Sequence, residues 1–417
     1  MLPDHKVTAQ RIAIAGAGIG GLAAASLLGR AGHRVTVFDQ FDAPRPVGSG
    51  LVIQPVGQTV LALTGAHLDG LGARITRMSG IEVDHGRTVL SVDYDRPGRP
   101  GFGLAIHRAA LFQALYDAAL NAGAAIHAGT SIAASHLQAD ARILMTLDGT
   151  ERGPFDLVID ALGAGSPLSP LASRALPYGA VWGTVPWPEA TALNPTALQQ
   201  RYRRASHMAG VLPLGRMVPG GAPMAAVFWS LPAAALADWP ACDLDAWKNA
   251  VTTLWPDMAP FLHVVRATRD MTPATYSHGT LARPYADRLI HIGDAAHRAS
   301  PQLGQGANMA LLDALAVVRA AGHDTPGPHY ARMRRWHVRL YQAMSAAFTP
   351  QYQSDSRWLP VLRDRVLMPV SRVPPIPRIL TRLVSGDLIP PLAGVGFPTS
   401  AVNATPDVGD LGPGRTR

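Results

Sequence analysis

Residues 11–39 read Arg-Ile-Ala-Ile-Ala-Gly16-Ala-Gly18-Ile-Gly20-Gly21-Leu-Ala-Ala-Ala-Ser-Leu-Leu-Gly-Arg30-Ala-Gly32-His-Arg34-Val-Thr-Val-Phe-Asp39. A short apolar run predicts a strand, a glycine-rich turn follows, and the alanine/leucine stretch to Arg30 predicts a helix that Gly32 stops. Arg34 to Phe38 then reads as a second strand, so the segment is a βαβ unit. Gly16 permits the tight turn, Gly18 lets the backbone approach a pyrophosphate, and Gly21 lets the helix pack closely on the strand. The helix start, at Gly20 and its neighbours, offers unpaired N–H groups and the positive end of its dipole to phosphates. Asp39, eighteen residues past Gly21, stands where a carboxylate accepts from ribose hydroxyls. That acid argues against a 2′-phosphate in the slot, because two negative charges would meet. It does not separate NAD from FAD.

Composition bounds the rest. The chain has 417 residues, enough for two or three subdomains. Hydrophobic residues make up 47% and charged residues 16%, which excludes a largely disordered chain. The single cysteine, Cys242, excludes an internal disulfide, a cysteine-based zinc site and a CxxC redox pair, and fits a reducing cytoplasm as well as a cysteine-poor periplasmic protein. Net charge is +8, but the basic residues are nearly all arginine, Lys6 and Lys248 being the only lysines. They are scattered rather than massed, so they read as arginine bias with an affinity for anionic cofactors, not as a nucleic-acid surface. Met1 to Gln10 is polar and shows no signal peptide. The longest uncharged stretch, Met217–Ala237, contains Pro219, Gly220, Gly221, Pro223 and Pro232 and reads as turn, strand and turn rather than a spanning helix.

Further along, Ala105–Gly123 carries Leu111, Leu115 and Ala118 at helical spacing and predicts a helix. Leu157–Ala161 predicts a buried strand opening into a Gly163/Gly165/Pro167 loop. Between 176 and 274 the βα pattern gives way to tryptophan, proline and β-like runs such as Ala225–Leu231, which predicts a second sheet. Leu289–Ile292 returns to a buried strand. A helix over Ala307–Ala321 then aligns Met309, Leu312, Leu315 and Val318. After Met344 the chain is punctuated by arginine and proline, with short helices, and beyond about 403 it reads as frayed.

A second constellation occupies 293–314: Gly-Asp294-Ala-Ala-His297-Arg-Ala-Ser-Pro301-Gln-Leu-Gly304-Gln-Gly306-Ala-Asn308-Met-Ala-Leu-Leu-Asp-Ala. The preceding strand delivers Asp294, an acceptor, into a loop that Pro301 stiffens, and Gly304 to Gly306 opens the next helix. On the residues alone this is either an anion-friendly helix start or a structural turn. The run resembles the GD motif, GDAAHxxxPxxGQGxN, of the class A flavoprotein monooxygenases, the para-hydroxybenzoate hydroxylase-like family. The similarity in motif order extends over roughly residues 10–390.

That resemblance implies an FAD cofactor. Gly16, Gly18, Gly20, Gly21 and Asp39 would serve its ADP half. Asp294, Pro301, Gly304, Gly306 and Asn308 would serve the ribityl and ring half, with Gly50 in a Val47–Pro55 segment beside the flavin and Arg108 as a cofactor-contacting arginine. The implied fold is α/β: a Rossmann-like FAD-binding domain (1–75, 100–175 and 276–350) interrupted by a β-sheet substrate domain (76–99 and 176–275), then a C-terminal helical extension (351–417). The implied reaction is NAD(P)H- and O2-dependent monooxygenation of an electron-rich, aromatic or polyketide-like small molecule through a flavin C4a-hydroperoxide. The flavin performs the chemistry, so no catalytic side chain is assigned.

One motif departs. In Asp156-Leu-Val-Ile-Asp160-Ala-Leu162-Gly163-Ala-Gly165-Ser166, Leu162 stands where the family has an aspartate implicated in FAD and nicotinamide binding. No second GxGxxG follows a strand, so a nicotinamide reductant would visit transiently. Candidate pocket residues are Trp182, His207, Met208, Phe228, Trp229 and Pro301; strand alternation allows only one of Phe228 and Trp229 to line a given cavity, and ordinary sheet core is the competing reading. His207 either polarises a substrate hydroxyl or is structural. His297 shapes the GD loop, and no metal site is assigned. The tail over Val361–Leu383 is expected to pack on the nucleotide domain with arginines outward, because prolines 369, 374, 375 and 377 interrupt any long amphipathic helix and disfavour membrane contact. A monomer or homodimer without nucleic-acid partners is expected. The alternatives are an FAD reductase or dehydrogenase that does not use O2, and a non-catalytic flavin- or NAD-binding protein.

Overall fold

The computed structural model describes residues 9–42, 49–95 and 101–397. Strand β1 (Arg11–Ala15), helix α1 (Ile19–Arg30) and strand β2 (Arg34–Phe38) form the βαβ unit. Four of the five residues of β1 are fully buried, as a strand covered on both faces requires. It lies inside a six-stranded sheet in the order 285–286, 289–291, 157–160, β1, β2, 125–127. Every pairing is parallel except the edge strand Tyr285–Ala286. Helix α1 buries Leu22, Leu27 and Leu28 against the Gly306–Ala321 and Arg108–Asn121 helices.

The helix expected over 105–123 begins later. Gly103–His107 is a strand, all five residues buried, paired antiparallel with Gly50–Ile53 and Ala73–Ile75. His107 ends it and caps the Arg108–Asn121 helix by accepting from the Ala109 N–H at 3.1 Å. A small antiparallel sheet (Ile132–Gln138, Ala141–Thr146, Glu151–Phe155) fills a region where the sequence pattern points to no particular element.

The second large sheet has seven strands in the order 272–274, 178–186, 223–232, 207–216, 197–203, 77–82, 87–93. Its outer face carries Val227 and Trp229 against helical segments that supply Trp247, Met258 and Phe261. Its inner face carries Met208 and Phe228 with Tyr94 and Val384. Met217–Ala237 contains the strand Pro223–Pro232 followed by a short helix, Ala233–Ala237. Among the described residues no helix is long and apolar enough to cross a membrane.

The tail corrects an expectation. After the long Pro326–Tyr352 helix come helical residues 359–371 and the helix Ile376–Ser385. They pack on the Arg87–Asp93 strand of the second sheet rather than mainly on the nucleotide domain. Most arginines face outward, but so do Trp358, Val361, Leu362, Val366 and Val370, whereas Arg363 is inside against Tyr202. The prolines shorten the helices without turning their apolar side chains inward. The frayed end expected beyond 403, and Val47 and Gly48, lie outside the described residues.

Candidate functional site

The carboxyl ends of β1, Leu157–Asp160 and Leu289–His291 open on one side of the parallel sheet, where open α/β folds bind ligands. At the end of β1, the Gly16 N–H donates to the Phe38 carbonyl at 2.8 Å, with φ +104°, and a Cβ there would sit 2.3 Å from the Ala161 carbonyl oxygen. A Cβ on Gly21 would lie 2.0 Å from the Gly16 carbonyl oxygen, so α1 presses against its own turn. Gly18 differs. It is exposed, and a Cβ there would meet nothing within 4 Å. Asp39 accepts from the Ala17 N–H at 2.6 Å and the Phe41 N–H at 3.2 Å, clamping the loop while keeping part of its surface open.

The 293–308 segment forms the opposite wall. Gly304 (φ +59°) follows a tight turn at Pro301–Leu303. Gly306, which opens the next helix, is exposed, and a Cβ added to it would also find open space, with no atom within 4 Å. Asn308 is fully buried: its Oδ1 accepts from the Gln54 N–H at 2.7 Å, and its Nδ2 donates to the Gly304 carbonyl at 3.0 Å and the Val52 carbonyl at 3.3 Å. It ties the Gly50–Ile53 strand to the helix start. Gly50 is required by packing, since a Cβ would lie 1.9 Å from Leu214 of the second sheet. Pro301 is exposed.

The two walls touch. Gly20 of α1 and Gly293 both abut Ala310, with Cβ positions 3.1 and 3.4 Å from its Cβ, and the Gly163–Gly165 turn packs on Gly293–Ala295. The helix starts at Gly18 and Gly306 therefore lie within about a turn of the crossing point of α1 and the Gly306–Ala321 helix.

Charge in the crevice is balanced. Asp294 is solvent-accessible yet enclosed; the enclosure raises its carboxyl above the ordinary range, opposed by His297, Arg108 and Arg298. Arg108 is exposed at its helix start, and its side chain makes no hydrogen bond among the described residues. Its charge is felt by both Asp294 and Tyr276. Nothing in the sequence singles out Tyr276. Its oxygen accepts from Trp182 Nε1 at 2.8 Å, and burial pushes its phenol up to about 12, so the hydroxyl keeps a proton to donate. Gln54 is a second residue that the sequence does not flag: it is fully buried, its Oε1 accepts from the Tyr94 hydroxyl at 2.6 Å, and its Nε2 has no partner. That orphan donor lies 3.4 Å from the Cβ position of Gly304.

Behind the second loop, fully buried Asp313 accepts from the Gly293 N–H at 2.9 Å, His297 Nε2 at 2.6 Å and Arg334 Nε at 2.6 Å. Burial alone would raise its carboxyl, but the charges of His297 and Arg334 outweigh burial and hold it well below the usual range. Arg334 also donates to the Pro391 carbonyl at 2.7 Å, and His337, pushed down to about 3 by burial and then by Arg334, is 2.9 Å from the Gly386 carbonyl. Asp160 does not replace the acid missing at Leu162. It is fully buried and already accepts from Leu162 N–H (3.1 Å), Ser166 Oγ (2.7 Å) and His291 Nδ1 (2.7 Å).

Of the pocket candidates, Trp182 and Phe228 have ring centroids 4.4 Å apart, and Met208 joins them on the inner face. Trp229 and His207 are corrected. Strand alternation turns Trp229 to the outer face, and His207 is exposed with its ring 6.0 Å from Trp229. A cavity of about 560 Å³ lined by Asp156, Arg283, Tyr285 and Arg288 lies at the amino ends of the same strands, away from the glycine loops.

Two open glycine helix starts on touching helices and an exposed arginine without a hydrogen bond among the described residues fit an extended dinucleotide carrying an electron-rich ring. The comparisons agree. The family described as "FAD binding domain" matches residues 9–323. The chain is 25% identical over 379 residues, 88% of this chain and 93% of the relative, to a probable 2-heptyl-3-hydroxy-4(1H)-quinolone synthase of Rhodococcus erythropolis. It is 28% identical to a 3-amino-4-hydroxybenzoate 2-monooxygenase of Streptomyces cremeus, covering 84% of this chain and 86% of that one. PqsL of Pseudomonas aeruginosa in complex with 2-aminobenzoylacetate shares the fold, with TM-score 0.72, 21% identity and coverage of 85% of this chain and 100% of that one. The chain belongs to the class A FAD-dependent monooxygenase family and is an FAD-binding oxidoreductase.

Proposed function

We propose that this enzyme hydroxylates a small aromatic molecule bearing amino or hydroxyl groups, with NAD(P)H as a transient reductant and O2 as the second substrate. The observation that carries the reading is that the Gly18 and Gly306 helix starts, both exposed and both open to an added Cβ, stand on helices that touch at Gly20 and Ala310. The relatives named for 3-amino-4-hydroxybenzoate and for a quinolone support the substrate class.

FAD supplies the redox chemistry when bound. The chain's residues do the rest. Amides at Gly18 and Ile19 hold the diphosphate, with Asp39 toward the ribose, and Asp294 binds the ribityl hydroxyls. The Gly306 helix start presents its N–H groups and helix dipole to the electron-rich edge of the ring, with Gly304 forming the turn that leads into it. Arg108 offsets negative charge in the same space. Trp182, Phe228, Met208 and Pro301 wall the substrate pocket, and Tyr276, its oxygen already accepting from Trp182, points its remaining proton at a substrate heteroatom. With Leu162 apolar and Asp160 committed internally, no carboxylate at this turn fixes the nicotinamide. We place the enzyme in the cytoplasm as a monomer or homodimer.

A second reading, an FAD reductase that does not use O2, is favoured by Leu162 and by 32% identity over half the chain to a menaquinone reductase of Mycobacterium tuberculosis. O2 uptake during NAD(P)H oxidation, screened with amino- and hydroxy-substituted aromatics, separates the two. Hydroxylation predicts substrate-stimulated uptake and label from 18O2 in the product; nicotinamide oxidation without uptake supports the reductase. Asp294→Ala should leave a folded protein depleted of flavin, and unchanged flavin content would count against the assigned site.

A further inference from the structure

Residues 357–379 show an unusual number of apolar side chains to water. A surface helix normally buries its apolar stripe and shows its charges to water. Here the helical run 359–371 buries an arginine and leaves most of its aliphatic side chains exposed. Its inward positions are Pro360, Arg363 and Met368, with Leu359, Asp364 and Ser371 half-buried. Arg363 is 2% exposed, paired with Asp364 at 2.6 Å, stacked near the Tyr202 and Tyr352 rings, and bonded to the Gln351 carbonyl at 2.8 Å. The outward positions carry Val361, Leu362, Val366, Leu367 and Val370, flanked by Trp358, Val373 and Ile379. Of the fifteen exposed large apolar residues among the described residues, eight fall between 358 and 379, so this is one patch rather than scatter. Trp358 is 81% exposed.

Along the stretch itself the exposed charges have one sign. Arg357, Arg365, Arg372, Arg378 and Arg382 are all exposed, and the only acid between 356 and 386, Asp364, is consumed by Arg363. We propose that this face docks the enzyme on the headgroup layer of an anionic lipid bilayer, with Trp358 and the aliphatic side chains entering the interface and the arginines meeting lipid phosphates. A second copy is a poor occupant, since face-to-face packing would set five arginines against five. A nucleic acid would leave the aliphatic stripe in water. The face is also mechanically close to the site: Gln305, between Gly304 and Gly306, donates its Nε2 to the Val384 carbonyl at 2.7 Å, and Thr381 of the same helix donates to the Asp93 carbonyl at 3.0 Å.

The test is co-sedimentation of the full-length FAD-loaded protein with phosphatidylcholine vesicles, with and without phosphatidylglycerol, at low and high salt. The expected result is binding to the anionic vesicles that weakens with salt. Val366→Asp/Val370→Asp abolishes it while flavin content and melting temperature stay at wild-type values. Replacing Arg365, Arg372 and Arg378 by glutamine lowers partitioning about a hundredfold, at about fivefold per arginine. Three results would overturn the proposal: no sedimentation with anionic vesicles, equal binding to both vesicle types, or a dimer in light scattering that dissociates in the double-aspartate variant.

Discussion

Two single methyl groups, three residues apart, separate what glycine does for the fold from what it does for the ligand. In Gly21→Ala the new Cβ lies 2.0 Å from the Gly16 carbonyl oxygen and 3.2 Å from Ala161 Cβ. Contacts that short cannot persist, so α1 must lift from its turn by more than about 1 Å, an overpacking cost of about 1–3 kcal/mol. Gly18→Ala meets nothing within 4 Å, and its backbone (φ −71°, ψ −179°) is open to any residue. Its effect on the apoprotein should stay within about 0.5 kcal/mol, as for an ordinary surface change. Yet its methyl occupies the space through which a diphosphate must approach the helix start. If crowding there costs about 1–3 kcal/mol, FAD affinity falls by about tenfold to a hundredfold. The assays are thermal melting of the apoproteins and FAD titration followed by flavin fluorescence. Gly18→Ala should melt with wild type and bind FAD weakly; Gly21→Ala should melt early. A Gly18→Ala protein that binds FAD as wild type does would refute the reasoning, and so would one that melts as early as Gly21→Ala.

The buried network behind the second loop yields two further predictions. Asp313→Asn leaves Arg334 a buried cation without its counterion, so denaturant unfolding should show a loss of about 3–5 kcal/mol, with flavin retention falling as the Gly293 loop loosens; a loss under about 1 kcal/mol would contradict this. Stability should also fall in mild acid. His337 stays neutral in the fold down to about 3, whereas its unfolded counterpart takes up a proton below its ordinary 6.5. The unfolded state then binds more protons, and lowering the pH from 6.5 to 5 costs about 2 kcal/mol from this residue. His33, His107 and His278, lowered chiefly by burial, act in the same direction, and Asp313 adds its own loss below its ordinary 3.8. Melting curves flat between pH 7 and 5 would contradict this.

The nucleotide unit was legible because its chemistry is local: Gly16, Gly18, Gly21 and Asp39 sit in one stretch whose spacing dictates a turn between a strand and a helix. The GD loop was legible for the same reason. What escaped the sequence depends on contacts between distant segments. Gln54 acquires its orphan donor because Tyr94 takes its other end and Asn308 takes its backbone, partners 40 and 254 residues away. Tyr276 is held by Trp182, which reaches it from a strand 94 residues earlier. Gly103–His107 hides beside a helix because a fully buried strand shows no alternation. Trp229 and Phe228 could be recognised as opposed but not oriented, since alternation fixes relative faces and only packing fixes which one is inner. The outward apolar face of the tail was hidden because prolines report where helices stop, not which side they bury.

The central claim is that one extended flavin dinucleotide spans both glycine loops. A crystal structure of the enzyme with FAD tests it most directly. The expected complex has the diphosphate within hydrogen-bonding distance of the Gly18 and Ile19 amides, Asp294 on the ribityl chain, and the ring edge against Gly304 and Gly306. A ring lying in the cavity beside Arg283 and Tyr285, or a diphosphate held away from Gly18, would contradict it.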